Sequence, residues 1–148
     1  MREMRDVAIF CVGMSERLGC KVCFSALEEQ DYDFVSRWEK DGQRKYCPIQ
    51  LKEIVPKELN ETITVQKVID KLERYTDSAD VTFVLKLNRI CQFDPSGIVI
   101  PDNLSIGELW VFGGVSEDQS EFALWGNFLD SAQNVIVKKF LYPSTSFN

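Results

Sequence analysis

Residues Asp31–Glu53 read DYDFVSRWEKDGQRKYCPIQLKE. Two runs of β-forming residues, Phe34–Trp38 and Tyr46–Leu51, flank Asp41-Gly42. That dipeptide suits a two-residue type I′ turn, in which both central residues take positive φ. A β-hairpin is therefore expected. With Asp41 and Gly42 as the loop, Lys40 pairs with Gln43, and counting outward sets Asp33 opposite Gln50 and Asp31 opposite Lys52. Directly opposed residues share a face, with Cβ atoms roughly 4.5–5.5 Å apart, and so do residues two apart on one strand. Asp31, Asp33, Gln50 and Lys52 should thus form one polar cluster at the open end of the hairpin.

Working outward, Met4, Val7, Ala8, Cys11, Met14 and Leu18 recur at spacings of three and four, opposite Arg2, Glu3, Asp6, Ser15 and Arg17. The pattern predicts an amphipathic helix over Arg2–Leu18, stopped at Gly19. Lys21–Ala26 (KVCFSA) reads as a first strand. After the hairpin, Ile54–Glu61 holds Pro56 and Asn60 without a sustained period and reads as a loop. A second helix starts near Thr62, with Ile63, Val65, Val68, Ile69 and Leu72 on one stripe. Val81–Leu87 (VTFVLKL) is almost continuously apolar, as a strand covered on both faces is. A strand–helix–strand crossover between the third and fourth strands implies a parallel pair, and so a mixed sheet in an α/β sandwich with an antiparallel hairpin built in.

Farther along, Phe93–Asn103 reads as a loop around a short extended Ile98–Ile100. Glu108–Phe112 and Glu121–Trp125 read as strands, with Val135–Leu141 as a last one. Trp110, Phe112, Phe122, Trp125 and Phe128 are read as core rather than as a platform for bases. One domain is expected over 1–148, with a core at 2–87, a β extension at 88–142 and a frayed tail at 143–148.

A chain of 148 residues that is 45% hydrophobic can bury a core, so disorder is not expected. A formal charge of −6 argues against a broad basic surface, because nucleic-acid binding of that kind depends on Lys and Arg displacing counterions. Any nucleic-acid site must be local. The five cysteines, Cys11, Cys20, Cys23, Cys47 and Cys91, are an odd number spread through apolar strings, which suits buried thiols in a reducing cytoplasm. Cys20-Lys-Val-Cys23 lacks the strand-then-helix setting of a redox CxxC. As a metal site it has only Cys11 and Cys47 as partners, and the chain has no histidine. No apolar run reaches the ~18 residues of a membrane span, and no signal-peptide pattern stands at the N-terminus. A cytoplasmic protein without membrane contact is expected.

On these residues the chain resembles the PD-(D/E)XK nuclease superfamily, the restriction endonuclease-like fold. That family's core runs helix, three-strand meander, helix, strand. It carries an Asp at the start of the second strand and an Asp, Glu or Gln, one residue, then Lys on the third. Asp33 stands at the first position and Gln50-Leu51-Lys52 at the second, and the Gln form is similar to that of Mrr-type restriction endonucleases. The resemblance spans Arg2–Leu87 by element order.

It implies a metal-dependent endonuclease acting on DNA, with catalytic Asp33, Gln50 and Lys52 and Mg²⁺ or Mn²⁺ held by Asp33, Gln50 and the main-chain carbonyl of Leu51. It also implies a further acid from the first helix, for which Glu3, Asp6 and Glu16 are candidates. The chemistry gives such residues a reason to adjoin. Divalent-metal hydrolysis of phosphodiesters needs hard oxygen ligands, and a lysine can orient water and offset charge on the pentacoordinate phosphate. Arg37, Lys40, Arg44, Lys45 and Lys57 offer a local phosphate-facing patch. Gln at the acidic position removes a charge from the metal site, and the acidic surface suits a second reading, a non-catalytic protein-interaction or regulatory module of the same fold. A third reading is a small structural or phage-borne accessory protein. Each residue also has an ordinary role: Asp33 closing a turn, Gln50 on an exposed strand face, Lys52 in a solvated charge string.

Overall fold

Asp41 and Gly42 take φ of 54° and 77°, and Lys40 pairs with Gln43, so the reversal and register expected from the sequence both form. The computed structural model describes residues 2–26, 32–54, 61–88, 93–130 and 136–143. Helix α1 is Arg2–Leu18, followed by β1 (Cys23–Ala26), β2 (Phe34–Lys40) and β3 (Gln43–Ile54). Helix α2 (Glu61–Asp70) runs on into a 3₁₀ turn at Lys71–Arg74 and leads to β4 (Ser78–Leu87). A 3₁₀ turn at Pro95–Gly97 precedes β5 (Ile106–Gly114), β6 (Glu121–Gly126) and β7 (Ile136–Leu141). The architecture is mixed α/β, and the three C-terminal strands extend the same sheet.

That sheet has seven strands in chain order. β1–β2 and β2–β3 are antiparallel, β3–β4 and β4–β5 parallel, and β5–β6 and β6–β7 antiparallel. Strand alternation divides the side chains between two layers. Val7, Phe10 and Cys11 of α1 pack with Phe34, Ile49, Val84, Trp110 and Phe112 on one side. Val65, Ile69 and Leu72 pack with Ile54, Phe83, Leu85, Leu109 and Val111 on the other. The apolar run in β4 is thus explained: Val84 faces α1 while Phe83 and Leu85 face α2, and all three are fully buried. Each such side chain contributes roughly 1.5–3 kcal/mol of hydrophobic stabilisation. The five C-terminal aromatics are buried, as expected.

Several expectations need correction. The strands run longer than their apolar cores, because the ladder continues through exposed polar residues such as Arg44 and Lys45. Ile98–Ile100 is part of a loop, extended at Ile98, as expected. Ile98 is buried in the α2 layer, and the Gln66 side chain supplies what a strand neighbour would. Its Nε2 donates to Val99 O at 2.8 Å and its Oε1 accepts from Val99 N at 2.8 Å. Met4, in the first turn of α1, is 39% exposed rather than core. Of the described thiols only Cys11 is buried, and Cys20, Cys23 and Cys47 are intermediate. Cys20 lies outside β1 and Cys23 opens it at the sheet edge, where little covers them. Burial, with Cys23 adding to it, pushes the Cys11 thiol up to about 12, as befits a core residue. Asp31, Lys57, Cys91, most of the 54–61 loop and most of the tail lie outside the described residues.

Candidate active site

Pairing of Phe34 with Ile49 fixes what happens one step farther out. There the Asp33 N–H donates to Ile49 O at 3.0 Å, and Gln50 Nε2 donates to Asp33 Oδ2 at 3.1 Å. Both side chains are half-buried, so the charged acceptor makes this bond stronger than a neutral pair would give. Lys52 follows two residues along β3 and projects from the same face. Its Nζ lies 5.2 Å from the ring centroid of Tyr75.

Tyr75 follows the 3₁₀ turn and packs edge-on against buried Phe83, with centroids 4.8 Å apart. Arg74 Nη2 lies 3.1 Å from Tyr75 Oη, its guanidinium carbon 5.1 Å from the ring centroid. Burial opposes ionisation of this phenol, but hydrogen bonds and charge from Lys52 and Arg74 outweigh it and hold Tyr75 below the usual tyrosine range. Tyr75 and Arg74 were not legible as site residues. Their only signal is a position at the end of a helix, which any surface Arg-Tyr shares.

Leu51 turns its side chain to the α1 layer, and its backbone runs in the ladder opposite Val84. The first helix packs on that same far face, away from Asp33 and Gln50. Asp6 is accordingly absent from the cluster. It is buried against Lys86 of β4, with Oδ1 and Nζ 2.6 Å apart. Glu3 is exposed and Glu16 half-buried on the same helix, so none of the three candidate acids joins the polar cluster.

The basic patch divides in the same way. Arg37 and Arg44 lie on the Gln50 face, whereas Lys40 and Lys45 alternate to the other. Among the described residues, no three His, Cys, Asp or Glu side chains come together to hold a metal. Asp33 and Gln50 therefore offer one carboxylate and one amide oxygen. As placed, Gln50 turns its N–H₂ toward the carboxylate, so its amide oxygen would reach a shared cation only after rotation of the amide, and the site is no dedicated protein cage. On the other side of the sheet, Phe10, Trp38, Ile49 and Trp110 enclose a cavity of about 30 Å³ beside Cys47 and Thr82. This has room for about one water and none for a nucleotide. The Cys47 thiol is raised by burial, which the Thr82 hydrogen bond only partly offsets.

The fold and this cluster define a mixed α/β protein with a polar site at the open end of its hairpin. Comparison with protein-family models, curated proteins and solved structures finds no match. No helix is long and apolar enough to cross a membrane among the described residues.

Proposed function

We propose that this chain is a metal-dependent endonuclease-like protein that hydrolyses phosphodiester bonds in DNA, with Asp33 and Gln50 at the metal and Lys52 at the scissile phosphate. The observation that carries this reading is the 3.1 Å Gln50–Asp33 hydrogen bond with Lys52 two residues on along the same face. The order α1–β1–β2–β3–α2–β4, with its antiparallel hairpin and parallel β3–β4 pair, is the arrangement the PD-(D/E)XK resemblance implies.

A bound divalent cation would polarise a phosphoryl oxygen and make coordinated water more acidic. Asp33 and Gln50, with the Leu51 carbonyl, would hold it. Lys52 offsets negative charge building on the phosphorus oxygens and orients the incoming water. Tyr75 fixes the direction of the Lys52 ammonium through its ring and hydroxyl.

A specific observation favours a second reading. Among the described residues, the one buried acid of the first helix pairs with Lys86 on the far face, and no group of three acidic or thiol ligands gathers at the site. That arrangement suits a non-catalytic member of the fold acting as a protein-interaction or regulatory module. Cleavage of supercoiled plasmid and of a labelled oligonucleotide under Mg²⁺ or Mn²⁺ separates the two. Metal-dependent cleavage lost in both Lys52→Ala and Asp33→Ala supports catalysis. Absence of cleavage, together with no Mn²⁺-dependent thermal shift, leaves the second reading.

A further inference from the structure

The polar cluster sits at one end of a longer strip that is half-buried from Pro48 to Lys52 and exposed at Arg44 and Tyr46. Along β3, Arg44, Tyr46, Pro48, Gln50 and Lys52 alternate to one face. Across from them on β2, Glu39 meets Arg44, Arg37 meets Tyr46 and Val35 meets Pro48. From Gln50 to Arg44 this strip runs six residue steps, about 20 Å at the ordinary rise of a strand. Tyr46 is 60% exposed at its centre, a large ring that no core claims.

At the far end, Lys21, Arg37 and Arg44 line a cavity of about 270 Å³ together with Glu39, Trp38 and the two cysteines of the CxxC. Three cations face one carboxylate there, in a chain whose formal charge is −6. Glu39 and Arg44 make an ion pair at 3.3 Å, but both are more than half exposed. Exposed pairs of this kind add little stability, so an arriving anion can displace it at small cost.

We propose that this strip is the track for a single-stranded nucleic acid, with a backbone phosphate in the Lys21–Arg37–Arg44 cavity and a base stacked on Tyr46. The inference rests on the nuclease reading for the strand's far end, where the next phosphates reach Lys52. It names the substrate as an unpaired strand. A duplex presents its bases edge-on and stacked, so a lone exposed ring on a sheet gains nothing from it, whereas every unpaired base has a face to offer. The 20 Å reach also suits the lower end of the roughly 4–16 nucleotides that single-strand-binding β-folds cover. Because the cations are few, binding should show a shallow dependence on salt, losing about one unit of log–log slope with each cation removed.

The test is fluorescence anisotropy on the full chain, without divalent metal, using a labelled DNA strand of about 12 nucleotides and the same sequence as a duplex. The strand should bind tighter than the duplex. Arg37→Glu and Arg44→Glu should each weaken it about tenfold or more, and Tyr46→Ala by about fivefold or more, since stacking is worth ~1–3 kcal/mol per base. All three side chains are exposed, so the fold is retained. Lys45→Glu, on the opposite face of the same strand, makes the same change in net charge and should leave binding nearly unchanged. Preference for the duplex overturns the track, as does wild-type affinity in the three variants or equal loss in Lys45→Glu. Failure of cleavage with strand binding intact removes the nuclease reading alone.

Discussion

Lys86 Nζ stands 2.6 Å from Asp6 Oδ1 beneath α1, with the side chains 11% and 2% exposed. The bond joins positions eighty residues apart and ties the first helix to the middle of the sheet. Two buried charges give little net stability as a pair, yet each is costly without the other. Lys86→Met should therefore destabilise the protein by about 3 kcal/mol, since it strands a buried carboxylate. Adding Asp6→Leu should recover most of that loss. Urea unfolding of the two variants measures the difference.

The turn that sets the site has its own cost structure. Gly42 has φ of 77° and nothing within 4 Å of where a Cβ would stand, so a substitution there meets only backbone strain. Gly42→Ala should cost about 1 kcal/mol, and Gly42→Val more, because a branched side chain disfavours the left-handed region. Denaturant midpoints with unchanged slopes would show that the register survives and only its stability falls.

Much of this architecture is legible in the sequence, and the reasons are local. Asp41-Gly42 determines a turn, the turn determines a register, and the register puts Gln50 against Asp33. The apolar run at Val81–Leu87 points to a doubly covered strand because its two polar residues both have partners there, Thr82 with Cys47 and Lys86 with Asp6. What remained hidden depends on tertiary placement. Helical periodicity says that α1 buries a stripe but not which side of the sheet receives it, so Glu3, Asp6 and Glu16 were set beside a cluster they do not face. The patch of Arg37, Lys40, Arg44 and Lys45 looked continuous in the chain, but alternation along two strands divides it between faces. Nor could periodicity show Gln66 standing in for a strand at Val99, since a side-chain amide leaves no trace in backbone pattern.

Acid should loosen the β5–β6 connection only once the pH falls below the ordinary aspartate range. Asp118 accepts from Ser116 Oγ at 2.7 Å and from Ser120 Oγ at 2.8 Å, which holds its carboxyl below the usual aspartate range. A carboxyl lower in the folded state than in the unfolded one adds stability above its unfolded value, and that stability is lost as pH falls through the folded value. An NMR titration should place the Asp118 midpoint below that of an ordinary aspartate. Ser116→Ala should raise it, and Asp118→Asn should remove this part of the acid sensitivity.

Tyr75 reports on Lys52 without any substrate. Its phenol is held low by the Lys52 and Arg74 cations against the opposing effect of burial. Removing the ammonium in Lys52→Ala should move the Tyr75 midpoint upward, and Arg74→Ala should do the same through loss of the 3.1 Å contact. Ultraviolet difference titration, with Tyr75→Phe to identify the signal, reads both. An unmoved midpoint in Lys52→Ala would mean that the ammonium points elsewhere in solution, and Tyr75 would then have no part in positioning it.

Gln50→Glu tests what the amide does at the site. In the metal-free protein the Gln50 N–H₂ donates to Asp33, and a glutamate there would instead set two carboxylates side by side. Loss of a hydrogen bond to a charged acceptor costs about 1.5–3 kcal/mol when buried, and this half-exposed pair should lose about 1–2 kcal/mol at neutral pH. Two close carboxylates raise one of their pKa values, so the variant should regain stability as the solution is made mildly acidic and one of them takes up a proton. Mn²⁺ should reverse the deficit at neutral pH more strongly than it stabilises the wild type, because the site now has two negative ligands rather than one. Thermal shift with and without Mn²⁺ measures both effects. A variant as stable as the wild type without metal, and indifferent to Mn²⁺, would show that the side chain at position 50 does not share a site with Asp33 in solution.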